Sequence, residues 1–300
     1  MTLAEKQHLF HVYAGILHNN QRFQAGEARQ VAYRFDCPEY AQLAQQYDLA
    51  ARAGQGTDTQ RAIRLLRWLA PRLTHCSWFD NRIPCNALSL LEYSLDNPAQ
   101  GINCVNKAKI LAECCLALGI YARRVRLSPY SPYDFDCHVV TEIYDRAEGR
   151  WLMLDPTTNG FLVDETRRIL SVLEARQRLA SGQFVTFLKA GARPASLAAA
   201  RDKNLETTSY YAKNLFLIQV EDISRFGEGE GWLHLIPEHF SVRENSLENA
   251  RYRAACLDEG AALGSGFDRA RAEETARRML QRAQQMREPA AVEAEPLQII

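Results

Sequence analysis

One stretch of the sequence, residues 101–154, limits the fold more than any other, because it predicts a helix followed directly by strands. Apolar residues recur at helical spacing from Ala108 to Leu118, and Gly119 supplies a stop. Three β-prone runs come next, over residues 121–127, 137–144 and 150–154. A helix followed by antiparallel strands is typical of α+β proteins.

Cys104 lies where this helix is predicted to begin. Asn103 before it is a good N-cap residue, and a sulfur atom in the first turn faces unpaired backbone N–H groups and the positive end of the helix dipole. Both effects favour the thiolate, which is the reactive form of cysteine. Cys104 is therefore a candidate nucleophile, whereas Cys114 and Cys115 at the far end of the helix are expected to be small core residues.

The strands supply two partners for this thiol, His138 and Asp155. A four-residue turn after Asp145 would pair that residue with Arg150, and in this register Asp155 becomes the diagonal neighbour of His138 on one face of the sheet. Diagonal neighbours lie roughly 7 to 8 Å apart, within reach of a carboxylate that orients an imidazole. A shift of one residue would put the two side chains on opposite faces.

A thiol, an imidazole and a carboxylate can act as nucleophile, proton shuttle and orienting group. We expect His138 to take the proton of Cys104 and Asp155 to fix the imidazole tautomer. Each partner also has an ordinary interpretation, because a single histidine on a strand is more often a core residue and Asp before Pro often ends a strand.

The rest of the chain divides into a helical extension over residues 1–56, a core over 57–190 and a C-terminal part over 191–300. Residues 288–300 are predicted to fray. Helices are predicted over residues 9–17, 40–53, 57–73, 86–95, 163–179 and 269–287, and a strand pair over 216–220 and 232–236.

Composition excludes several classes of protein. The 36 basic and 36 acidic residues balance without a long block of one sign, so neither a nucleic acid nor a membrane surface is expected as a partner. The first 20 residues lack the pattern of a signal peptide, and no run approaches the ~18 apolar residues that span a bilayer. Eight cysteines without CxxC pairs indicate reduced thiols and a cytoplasmic location, and no cofactor is expected.

The segments GINCVNKAKILAECCLALGIYARRV and DCHVVTEIYDRAEGRWLMLDPT resemble the core of the transglutaminase-like superfamily, over roughly Thr57 to Leu179. The resemblance implies a papain-like, α+β core in which Cys104 is the nucleophile, His138 the base and Asp155 the third member. The chain lacks the acidic clusters suited to calcium and the flanking β-sandwich signatures of protein-crosslinking members, so crosslinking is not implied.

Other residues are expected to border the substrate. The backbone N–H of Cys104 is the natural oxyanion donor, and a second donor is not evident from the sequence. The candidate substrate-binding residues are Trp78, Asn103, Tyr130, Tyr133 and Asn159.

The sequence therefore predicts a thiol enzyme that cleaves or transfers an amide or related acyl bond of a peptide, a protein or a small amide. Water as the acceptor would make it a peptidase, amidase or deamidase, and an amine would make it an acyl transferase. Two alternatives remain at this stage. One is a binding or scaffolding module that has lost turnover, and the other is a metal site formed by Cys76, Cys85, Cys137 and His138.

Overall fold

The computed structural model describes residues 2–229, 231–258 and 268–299. The α-helices of this part are α1 (Leu3–Asn19), α2 (Glu39–Gln46), α3 (Leu49–Ala53), α4 (Asp58–Leu69), α5 (Ala87–Asp96), α6 (Cys104–Leu116), α7 (Val172–Ala180), α8 (Leu197–Lys203), α9 (Leu205–Asn214), α10 (Val242–Asp258) and α11 (Arg269–Gln285). Its strands are β1 (Ala32–Tyr33), β2 (Ala122–Ser128), β3 (His138–Asp145), β4 (Arg150–Leu154), β5 (Gly160–Val163), β6 (Thr186–Lys189), β7 (Leu217–Glu221), β8 (Ile223–Ser224) and β9 (Trp232–Leu235). None of the helices in these three ranges combines the length and the apolar character needed to cross a membrane.

A five-stranded antiparallel sheet with the order β4-β3-β2-β7-β9 organises the molecule. Together with the surrounding helices it confirms the predicted α+β class. The predicted C-terminal strand pair also forms, as β7 and β9, and it extends the sheet that β2, β3 and β4 begin. Residues 57–190 and 191–300 thus share one sheet, and the domain division at residue 190 stays a prediction.

Helices cover both faces of the sheet. On one face, Leu111 of α6 belongs to the same core cluster as Ile143 and Leu154. On the other face, Val125 and Val140 pack in a cluster with residues of α1, α7 and α9. The two clusters divide these strands by face, since Ala122 of β2 and Ile143 of β3 belong to the first cluster, whereas Val125 and Val140 belong to the second.

The predicted hairpin register is confirmed. Asp145 pairs with Arg150, and the ladder continues to Thr141 opposite Leu154. The Asp145 side chain shapes the turn by accepting the backbone N–H of Ala147 at 2.8 Å. Gly149 closes the turn with a φ of 65°, a value that glycine adopts without strain.

Buried ion pairs hold α6 against the sheet. The Lys109 ammonium lies 3.2 Å from the Glu113 carboxylate and 3.4 Å from that of Glu221 on β7. Arg124 on β2 donates to the same Glu221 carboxylate at 2.6 Å. All four side chains are buried, so each charge depends on the others for compensation. The network fixes the position of α6, whose first residue is Cys104.

Two predicted helices are shorter than expected. The helix predicted over 163–179 begins only at Val172, because the Asp164 carboxylate accepts the N–H groups of Thr166 and Arg168 and makes a turn before Ser171 caps the helix. The helix predicted over 40–53 divides into α2 and α3 at Asp48, which has a left-handed φ of 46°.

The prediction that residues 288–300 fray is wrong for the part the structure describes, which ends at residue 299. The backbone N–H of Val292 donates to the carbonyl of His234 at 2.9 Å. Leu297 is fully buried, and its carbonyl accepts from the buried guanidinium of Arg123 at 2.6 Å. This segment is thus part of the core. The sequence did not predict its burial, because residues 288–300 show no apolar periodicity of a helix or a strand.

Burial of the chain end leads to a stability prediction. Leu297→Ala is expected to lower the free energy of unfolding by about 2–4 kcal/mol, because it opens a cavity in a packed core. Ile299→Ala is the matched control, since Ile299 is 54% exposed and its loss should change stability by less than about 0.5 kcal/mol. Urea unfolding measures both values, and equal small effects would contradict the packed tail.

Candidate active site

Cys104 occupies the first position of α6. Asn103 before it is extended, and its Oδ1 accepts the N–H of Asn106 at 3.2 Å, so it is the N-cap that the sequence predicted. The Cys104 side chain is partly exposed. At this first position the backbone N–H has no carbonyl partner within the helix, so it points outward as a free donor.

The segment before α6 is fixed by its neighbours. Ile102 exchanges backbone hydrogen bonds with Thr74 and Cys76, each at 3.0 Å. Gly101 lies so close to this neighbouring segment that a Cβ would come within 2.6 Å of the His75 carbonyl carbon. Only glycine fits this contact, and the contact sets how the chain enters α6.

His138 and Asp155 meet as the hairpin register predicts. The Nε2 atom of His138 lies 2.7 Å from Oδ2 of Asp155, and both side chains are buried. Because Nε2 faces the carboxylate, Nδ1 is the ring nitrogen left for the thiol. Cys104 lies near enough to His138 to contribute to the raised pKa of the imidazole.

The electrostatics of this pair favour the charged forms of both groups. Burial opposes the charge on His138, but the Asp155 carboxylate and the Cys104 thiol outweigh it and raise the histidine pKa to about 10. Burial likewise opposes the charge on Asp155, but the imidazolium and its hydrogen bonds lower the carboxyl pKa to about 2. Near neutral pH the His138 imidazolium and the Asp155 carboxylate therefore form an ion pair.

Sequence analysis missed the groups that hold Asp155 in place. The Tyr211 hydroxyl donates to Oδ2 at 2.5 Å, the Thr158 hydroxyl donates to the same atom at 2.8 Å, and the N–H of Thr157 donates to Oδ1 at 2.7 Å. The two threonines follow Asp155 in a tight turn. The Asp155-Pro156 pair at the end of the strand is a local sequence pattern that predicts such a turn. Tyr211 comes from α9, 56 positions along the chain, and no local pattern predicts it.

Aromatic rings flank the imidazole. Tyr210 and Tyr211 contact His138 edge to face, with ring centroids 5.3 Å and 5.8 Å away. These rings exclude water from one side of the base and restrict its rotation.

Lys107 is a second group that the sequence did not reveal. It lies three residues after Cys104, hence on the same side of α6, and its side chain is only 2% exposed. Burial lowers its pKa to about 8, and the negative charges of Asp155 and Cys104 act against this shift. A lysine in this position adds positive charge beside the thiol.

Two of the predicted substrate-binding residues lie close to the start of α6. Trp78 lines a cavity of about 380 Å³ together with His75 and Gly101. The Asn103 amide is engaged at both ends, because Oδ1 caps the helix and Nδ2 donates to Asn81 at 3.0 Å. Their contact with substrate stays a prediction.

The other three candidates lie elsewhere around the site. Tyr130 and Tyr133 are 50% and 56% exposed and line a separate cavity of about 380 Å³ with Lys213. That cavity does not include Cys104, His138 or Asp155 in its lining. Asn159 has a left-handed φ of 55° in the turn after Asp155, and its buried Oδ1 atom has no hydrogen-bond partner in the part of the chain that the structure describes.

A metal site is not supported within the described ranges. No three His, Cys, Asp or Glu side chains there lie close enough together to hold an ion. The proposed ligand His138 directs Nε2 to Asp155, and Cys85 accepts from the Asn106 amide at 3.5 Å.

Comparison with known proteins agrees with this geometry. A family model described as the transglutaminase-like superfamily matches residues 41–156, a segment that includes Cys104, His138 and Asp155. A peptide-N(4)-(N-acetyl-beta-glucosaminyl)asparagine amidase of Gallus gallus is 37% identical over 100 residues, which are 31% of this chain and 13% of the amidase. The chain thus spans a small fraction of the length of this curated relative.

No solved structure matches the chain significantly. The family match names the same superfamily that the sequence segments around Cys104 and His138 resemble. Residues 41–156 are thus similar to the transglutaminase-like superfamily.

Proposed function

We propose that this protein is a cysteine hydrolase or acyl transferase, with Cys104 as nucleophile, His138 as acid–base and Asp155 as orienting carboxylate. The observation that carries the proposal is the 2.7 Å contact between His138 and Asp155 next to a thiol at a helix start. A helix-borne thiol facing a strand-borne imidazole is the papain-like arrangement that the family resemblance implies.

The first half of the reaction forms a thioester. In the reactive state His138 holds the proton of Cys104, and the thiolate sulfur attacks the carbonyl carbon of the substrate. The carbonyl oxygen becomes an oxyanion that accepts from the free backbone N–H of Cys104. His138 then donates its proton to the leaving nitrogen, the C–N bond breaks and the amine departs.

The second half releases the acyl group. His138, now neutral, takes a proton from a water molecule or an amine, whose oxygen or nitrogen attacks the thioester carbon. The C–S bond breaks and the thiolate returns. Asp155 stays ionised throughout and stabilises the imidazolium each time it forms, as the third member of a triad does.

Lys107 supports the same chemistry. A buried ammonium one turn after the nucleophile stabilises negative charge on the sulfur, in addition to the helix dipole. Burial of the Lys107 ammonium costs free energy, and nearby negative charge, such as that of the Asp155 carboxylate, offsets this cost.

The family match and the relative support an amide as the substrate class. The amidase from Gallus gallus is named for an amide bond on the nitrogen of an asparagine side chain. We propose a peptide, a protein or a small amide as substrate for this chain, without assigning it the glycan specificity that the amidase name carries.

Covalent trapping tests the proposal. A set of acyl electrophiles incubated with the full chain is expected to leave one acyl group on Cys104, because this thiol combines exposure with a neighbouring imidazolium. Peptide mapping by mass spectrometry locates the adduct. Cys104→Ala should lose the adduct, and Cys76→Ala, which removes another partly exposed thiol, should keep it.

The same experiment separates the enzyme from a scaffold that has lost turnover. Labelling that spreads evenly over the eight cysteines, or that survives in Cys104→Ala, would favour the scaffold. Full turnover of an identified substrate by Cys104→Ala would rule out the thiol mechanism.

The ion pair makes a separate pH prediction. Asp155→Asn removes the larger of the two groups that raise the pKa of His138, while burial and Cys104 remain, so the pKa should fall from about 10 toward the usual 6.5 or below it. NMR titration of the imidazole protons measures it.

A control variant keeps this titration interpretable. Tyr211→Phe keeps the carboxylate and should leave the His138 pKa well above 7. A His138 pKa in Asp155→Asn that stays as high as in the unmodified protein would contradict the pairing. The stability from the pair should be present at neutral pH, and it should be lost as pH rises through about 10 or falls through about 2.

A further inference from the structure

A cavity of about 670 Å³ lies between the sheet and the C-terminal helices α10 and α11. This volume is within the range of small-molecule sites. The floor of the cavity comes from β2 and β7, where Arg126 pairs with Gln219 and Ser128 pairs with Leu217. Its roof is partly apolar, with Val242 of α10 and Met286 just after α11 among its residues.

The cavity adjoins the candidate active site. Cys137, which lines it, is the residue immediately before His138. Cys137 also lies close enough to Cys104 for the two thiols to interact electrostatically. A ligand in the cavity can therefore extend toward the nucleophile.

Three arginines line this cavity without a carboxylate partner among the described residues. They are Arg126 on β2, Arg253 on α10 and Arg282 on α11. The Nε atoms of Arg126 and Arg253 are buried and have no hydrogen-bond partner in the described structure. Their guanidinium groups stack on aromatic rings, Arg126 at 4.8 Å from Trp232 and Arg253 at 4.2 Å from Phe135. Arg253 also donates from one terminal nitrogen to the Phe135 carbonyl at 3.4 Å.

The acidic residues of the lining do not neutralise these charges. Asp134 and Asp136 both bind Lys213, with contacts of 2.8 Å and 3.3 Å. Burial lowers the pKa of Arg253, and the thiols of Cys137 and Cys256 oppose this shift. Together with Lys213, the three arginines outnumber the two carboxylates, so the cavity carries net positive charge.

A buried donor without an acceptor is costly, and unpaired guanidinium groups in a cavity match the geometry of carboxylates and phosphates. We propose that this cavity is a subsite for an oxyanion group of the substrate, a carboxylate or a phosphate attached to an apolar body. This assignment rests on the proposed function, because it takes the ligand to be the substrate of Cys104. Arg126 and Arg253 are its specificity-determining residues, and Arg282 lies at its exposed rim.

Direct binding is the first arm of the test and does not depend on catalysis. Anilinonaphthalene sulfonate, an apolar body with an oxyanion, is titrated by calorimetry beside the neutral N-phenylnaphthylamine. The sulfonate should bind saturably to one site, the neutral compound at least tenfold more weakly, and adipate or inorganic phosphate should displace the sulfonate.

Variants locate the site. Arg126→Gln and Arg253→Gln should each weaken sulfonate binding by about tenfold, as expected for loss of a charged hydrogen bond. Arg277→Gln is the matched control, since Arg277 is an exposed arginine of α11 outside the cavity. The thermal stability of the two cavity variants should be equal to or above that of the unmodified chain, because each loses a buried Nε donor that has no acceptor among the described residues. A purely structural role for these arginines predicts the opposite.

Acylation is the second arm. The mono-p-nitrophenyl ester of adipic acid and that of its neutral monoamide are compared in their first turnover, in which the Cys104 sulfur takes the acyl group and p-nitrophenolate leaves. The carboxylate ester should react at least tenfold faster, and Arg126→Gln should reduce this ratio by about tenfold. An equivalent phosphonate ester shows which oxyanion is preferred.

The outcomes separate the two proposals. The subsite proposal is overturned if the sulfonate does not bind, or if neither adipate nor phosphate displaces it. It is also overturned if sulfonate binding is unchanged in the arginine variants. Intact sulfonate binding without release of p-nitrophenolate from any ester in the first turnover refutes the thiol mechanism and leaves an oxyanion site. Release that is equally fast for the charged and the neutral ester overturns the assignment of the cavity to the substrate.

Discussion

The pairing of β3 with β4 is the constraint on which the candidate site depends. A four-residue turn sets Asp145 opposite Arg150, and the resulting register brings Asp155 within 2.7 Å of His138. A slip of one residue would move one of these side chains to the other face and leave a buried carboxylate without its counter-charge. Buried ion pairs between α6 and the sheet then fix the position of Cys104 relative to this pair.

The site extends beyond the segment that matches the family. Tyr211 of α9 donates to Asp155, and its ring packs against His138, although it lies outside residues 41–156. The strands β7 and β9 and the helices α10 and α11 likewise come from the C-terminal part, where they widen the sheet and roof the arginine-lined cavity. The segment that matches the family contains the proposed reacting groups, and residues of the C-terminal part contact and surround them.

The sequence predicted the features that depend on local rules. The cap at Asn103, the start of α6 and the hairpin register follow from residue preferences within a few positions. Tyr211 and Lys107 were missed because their roles arise from tertiary contacts, and a lysine among apolar helical residues carries no local sign that it will be buried. The chain end was predicted to fray for the same reason, since Leu297 finds its partners on a distant strand.

The central claim is that the Asp155 carboxylate holds His138 as an imidazolium beside the thiol of Cys104. Nitrogen-15 NMR of the histidine side chains reports the protonation of this ring directly, and comparison with His138→Gln identifies its signals. We expect both ring nitrogens of His138 to carry a proton at about pH 8, where an ordinary imidazole with a pKa of about 6.5 is neutral. A neutral His138 ring at this pH would contradict the claim.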